Sequence, residues 1–242
     1  SDFEKNNTEQ LNLSNKQMEG LLAFQISEKK KEDPMFGIKV GSDAIFNSLI
    51  NIIQKEDDSV NCHDFLLYAA GLAGYACQAA VRESMVVKGE KKEEEVFHVV
   101  TSKKGEKFFF GDEVNHFLLG NPYSVYRLTA GMYKKVYPTM IVPDIAQIIK
   151  KVTACIGSAE YKVCGEALQS ELKEMYAIMW KSLRKKLDLY CEKPEEWPVL
   201  FAMVLQKGIV ATKGIIMPDI GFNFAMECAV YASKIDITSR LE

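Results

Sequence analysis

Only three histidines occur in the 242 residues, His63, His98 and His116, and no two of them are close in sequence. That scarcity removes most metal-binding and triad constellations, which draw on imidazole clusters. The six cysteines, Cys62, Cys77, Cys155, Cys164, Cys191 and Cys228, form no C-x-x-C pair, so the usual zinc and dithiol spacings are missing. Phosphate-loop and hydrolase signatures are missing too. There is no G-x-G-x-x-G, no glycine-rich loop running into Lys-Ser or Lys-Thr, no H-E-x-x-H and no G-x-S-x-G. These absences remove every specific enzyme class without excluding catalysis itself. No metal and no cofactor is expected.

Charge of one sign is lacking as well. A net charge of -3 and a pI of about 5.8 offer no electrostatic reason to expect nucleic acid or an anionic membrane as a partner. Long hydrophobic runs are absent. The best span candidate, residues 65–81, carries no charge but is short for a bilayer. It contains Gln78 and is flanked by His63, Asp64, Arg82 and Glu83, which reads as a buried core helix. Residues 1–10 are polar and acidic, with no apolar segment of the secretory kind. Thiols set in apolar helical sequence behave as small hydrophobes. Reduced cysteines and a cytoplasmic location are therefore the expectation.

What is present is helix after helix. With 48% apolar and 26% charged residues the chain has ordinary globular composition. The fold class expected is mainly α (α+β by strict count), a multi-helix globular domain with one inserted antiparallel β-hairpin. Residues 1–34 are predicted to be a polar leader, partly disordered, with a short amphipathic helix near 18–26. Residues 35–242 are predicted to form one α-rich domain. Its first helix is placed after Gly41 with Ser42 as N-cap. A second starts at Asn61, and its small-residue body Ala69-Ala70-Gly71-Leu72-Ala73-Gly74 places it at the centre of the core. Two β-branched and aromatic runs around Ser102-Lys103-Lys104-Gly105 make the hairpin, at about 96–110. Further starts are read at Asp112, Asn121-Pro122, Pro143-Asp144, Pro194 and Pro218-Asp219. The longest helix is expected at about 166–190. The sixfold likeness of Ile141-Val142-Pro143-Asp144-Ile145-Ala146 to Ile216-Met217-Pro218-Asp219-Ile220-Gly221 is explained by two proline-started helices more simply than by duplication.

Three groupings carry possible chemistry. Asp112-Glu113-Val114-Asn115-His116 follows the hairpin, and Glu113 with His116 has the i, i+3 spacing of a carboxylate–imidazole metal pair. No second such pair exists. Asp112 and Glu113 also suit the start of a helix. Cys62-His63-Asp64 sits at another helix start, where neighbours in sequence diverge by about 100° and capping accounts for the acid. Tyr123, Tyr126, Tyr133 and Tyr137 fall near one another on a helix beside Arg127, Lys134 and Lys135. Such a stripe stacks on ligands or packs in an interface.

The sequence-level expectation is thus a non-catalytic interaction protein that self-associates as a homodimer and binds a possible protein partner. The alternative is an enzyme or small-ligand receptor built from Asp112, Glu113, His116, Tyr123, Tyr126, Arg127 and Tyr133, where the hairpin, the Asp112 helix and the tyrosine helix meet.

Overall fold

A computed structural model describes residues 2–163 and 167–238. Cys164 and the expected helix start at Glu166 lie outside the described residues. The order is α1 (Asp2–Lys30), α2 (Phe36–Ile53), α3 (Cys62–Val81), α4 (Glu93–Val96), β1 (His98–Thr101), β2 (Lys107–Phe110), α5 (Asp112–Asn115), α6 (Val125–Val136), α7 (Ile145–Cys155), β3 (Lys162–Val163), β4 (Ala167–Leu168), α8 (Gln169–Tyr190), α9 (Glu196–Ala211) and α10 (Pro218–Ala232). π-Helical turns Arg82–Val87 and His116–Gly120 extend α3 and α5. This is a mainly α, multi-helix fold with an inserted antiparallel hairpin, as its sequence indicates.

α3 is the central helix. Asn61 caps it by accepting the Asp64 N–H at 3.0 Å, and every residue from Ala69 through Val81 is buried. α9 and α10 pack along it most extensively. The small side chains permit this. A methyl group built on Gly74 would overlap the Ala229 carbonyl of α10, and one on Gly71 would overlap the Tyr176 ring of α8. α2 and α6 pack on α9, and α7 on α10. α1 rests on α2 and α8.

Several helix limits differ from the sequence reading. Ser42 is not an N-cap; it is buried inside α2, and its hydroxyl donates to the Lys39 carbonyl at 2.7 Å. The helix begins before it because Gly37 and Gly41 let the backbone lie against Tyr190 of α8. Asp112 does not cap either. Gly111 takes the N-cap position in extended backbone, which leaves Asp112 in the first turn. Asn121 makes a turn through the Tyr123 N–H at 2.8 Å, and Ser124 is the cap of α6, accepting from Arg127 N–H. The longest helix is α1, with 29 residues, rather than α8 with 22. The two similar hexapeptides are used differently. Asp144 caps α7, whereas Pro218 is already inside the first turn of α10.

In the hairpin His98 faces Phe110 and Thr101 faces Lys107. Gly105 takes a φ of 84° in the turn, a conformation open to glycine at little cost. Val96 belongs to α4, not β1. The outer edge of β2 is covered by this chain's own C-terminal segment: Phe109 N–H donates to the Lys234 carbonyl at 2.7 Å, and Phe108 bridges Ile235.

Candidate functional site

The sequence-predicted residues divide between surface and core. Asp112 and Glu113 are exposed in α5. Asp112 lines a shallow groove together with Glu94 and Glu95. His116 is exposed, edge-on to Phe117 at 5.6 Å, with Nε2 3.5 Å from Asn121 Nδ2. Tyr123 and Arg127 are exposed. Tyr126 and Tyr133 are brought together over Phe222 of α10, with centroid distances of 6.2 and 5.6 Å, and Tyr133 also stacks on Tyr137 at 6.2 Å. Tyr133 is buried, and that burial raises its phenol pKa above the ordinary value. The tyrosine stripe therefore carries core packing at Tyr133 and solvent-facing groups at Tyr123 and Arg127. Cys62 is half-buried, and His63 stands edge-on to Phe224 at 5.7 Å.

A denser polar assembly lies where the hairpin meets α3 and the C-terminal segment. Gln78, fully buried in α3, donates through Nε2 to the Ser233 and Ile235 carbonyls, both at 2.9 Å. Its Oε1 accepts from Arg82 Nε at 2.8 Å. Arg82 Nη1 reaches Glu93 Oε2 at 2.6 Å, and the guanidinium lies 4.5 Å from the Phe97 ring centroid and 4.4 Å from that of Phe109. Cation–π contact adds to the ion pair in such a sandwich. Next to it Lys234 is 3% exposed, with its ammonium 4.7 Å over the Phe110 ring. Burial pushes its pKa down from 10.5 to about 8. Gln78 is the one residue of this assembly that stands out in the sequence, as the polar interruption of an uncharged run. Its partners lie 155 and 157 residues away, so no local pattern announces them.

Above this assembly opens a cleft of about 270 Å³ between the start of β2, the first turns of α8 and the C-terminal segment. Tyr75 and Tyr231 are buried residues of its lining. Burial, reinforced by the negative charge of Asp236, raises the Tyr75 phenol to about 12, and burial with Glu106 raises Tyr231. Both phenols are thus neutral O–H groups at physiological pH. Tyr231 donates to the Gln169 carbonyl at 3.0 Å.

The other exceptional surface is α1. Every residue described at the side-chain level between 2 and 20 is exposed. At 1.5 Å per residue that stretch projects about 28 Å. The helix is anchored through Leu22 and Ile26, which pack against the core. Met18, Leu21 and Phe24 remain 66%, 59% and 62% exposed. A groove along its side is lined by Glu19, Ala44, Ser48, Lys185, Lys186 and Tyr190 among others.

No family model, curated protein or solved structure matches this chain. Among the described residues no group of three or more His, Cys, Asp or Glu side chains is placed to hold a metal ion, and no helix is long and apolar enough to cross a membrane.

Proposed function

We propose that this chain is a non-catalytic interaction protein that binds another polypeptide through α1, in the first instance a second copy of itself. The observation that carries the reading is the exposure of Met18, Leu21 and Phe24 on a helix in which every residue described at the side-chain level between 2 and 20 is exposed. Most helical stability in proteins comes from tertiary packing of one face, and clustered exposed apolar side chains mark interaction surfaces. A partner covering this face supplies the burial that holds the helix. Two-fold pairing is the commonest arrangement for a self-complementary surface. The five described cysteines are free thiols, which fits a reducing compartment such as the cytoplasm.

Sedimentation equilibrium tests the reading. The wild type is expected to associate at about 50 µM, the range of a modest protein contact. The triple variant Met18→Ser, Leu21→Ser, Phe24→Ser is expected to be monomeric with an intact core. A monomeric wild type, or a triple variant that associates as the wild type does, overturns it.

A further inference from the structure

We propose that the cleft between the hairpin and α8 binds a small zwitterion, an α-amino acid with an apolar side chain. The inference is independent of α1. The volume, about 270 Å³, lies just below the roughly 300–1,000 Å³ of drug-sized ligand sites, which suits a smaller molecule of amino-acid size.

Charge is the first argument. Glu106 and Lys107 line the cleft from the hairpin, Lys173 and Glu174 from α8. None of these four side chains forms an ion pair or hydrogen bond among the described residues; the Glu106 N–H alone donates to Ser102 Oγ at 3.2 Å. The fifth charged lining residue, Asp236, already accepts from the Thr238 N–H at 2.9 Å and its hydroxyl at 2.6 Å. Two unpaired cations and two unpaired anions around one opening complement a ligand that carries both an ammonium and a carboxylate. A ligand of one sign would meet like charge on either element.

Tyr75 is the second argument. It is 5% exposed, lines the cleft, and its hydroxyl makes no hydrogen bond with any described residue. The ring is buried while the hydroxyl opens onto the cleft, where it is free to donate to or accept from a polar ligand atom. Phe108, Ile235 and Ile237 complete the lining and favour an apolar side chain on the ligand.

Isothermal titration calorimetry of the full chain with L-leucine and L-phenylalanine tests the proposal. The controls are 3-methylbutylamine, which lacks the carboxylate, and 4-methylpentanoate, which lacks the ammonium. At least one amino acid is expected to bind. Both controls should be weaker by about tenfold or more, the factor for losing one charged hydrogen bond. Tyr75→Phe and Lys173→Met should each weaken binding while the melting temperature stays within the wild-type range. Absence of binding by either amino acid up to about 5 mM, the weak limit of a specific site, overturns the proposal. So does a control that binds as tightly as its parent, or unchanged affinity in both variants.

Discussion

Gly74 of α3 faces the Ala229 carbonyl of α10 so closely that any side chain on it would overlap the oxygen. The obstacle is backbone, which cannot rotate away. Gly74→Ala is expected to cost about 3 kcal/mol or more, at the upper end of overpacking effects, and Gly74→Leu should prevent native packing of α10. Urea titration followed by circular dichroism reads this directly. An unchanged midpoint for Gly74→Ala would mean that α3 and α10 are not in contact here.

The hairpin depends on Arg82. Arg82→Met keeps an apolar stem between Phe97 and Phe109 but leaves the buried Gln78 Oε1 without its donor. A loss of about 1–3 kcal/mol is expected from leaving that buried acceptor unpaired. Hydrogen exchange locates it: the Phe109 amide, bonded to the Lys234 carbonyl, should lose protection before the amides of α3. Phe109 is 1% exposed inside the single chain, so Phe109→Glu should unfold the domain whatever its oligomeric state.

Lys234 supplies a pH signature. Burial lowers its pKa to about 8 in the folded chain, against 10.5 when unfolded. Between those values the unfolded state holds a proton that the folded state has released, so this lysine makes stability rise with pH. The full shift is worth roughly 3 kcal/mol. Thiols and phenols raised by burial, among them Cys191 and Tyr75 at about 12, oppose it above their unfolded values. The clean measurement is therefore the difference from Lys234→Met. That variant should be more stable at pH 7, and its advantage should shrink by pH 10. A constant difference across this range would show that Lys234 does not titrate as described.

Thiol labelling of the native protein should proceed in two classes. Cys62 and Cys155 are half-buried, whereas Cys77, Cys191 and Cys228 are buried, and burial raises the Cys77 and Cys191 pKa values further. A neutral thiol reagent at pH 7.5 is expected to modify Cys62 and Cys155 first and the buried three only on unfolding, because the reactive species is the thiolate. Early labelling of Cys77 would show that the core around α3 opens.

Much of this architecture is legible locally. The Asn61 and Asp144 caps, the Pro218 start, the small-residue face of α3 and the turn around Gly105 follow from side chains acting on their own backbone within a few residues. Where the reading failed, distant contacts had changed the local outcome. Ser42 suits a cap, but packing of Gly37 and Gly41 on Tyr190 extends α2 past it. The candidate site was less legible than the fold. Tyr126 and Tyr133 do share a helix side, yet what decides their role is Phe222, about 90 residues on. The cleft gathers β2, α8, α10 and the C-terminal segment, which share no sequence pattern.

Sequence by itself determined that this is a mainly helical chain with one hairpin and a central helix of small residues, because periodicity, capping and turn chemistry act over one or two turns. Tertiary structure alone decided that the hairpin edge is closed by Lys234 and Ile235 and that Arg82 is sandwiched between two phenylalanines. It also decided that Met18, Leu21 and Phe24 face outward while Ile26 faces in. Those outcomes depend on which surfaces meet after collapse, and burial between segments well beyond one or two helical turns apart leaves no local trace.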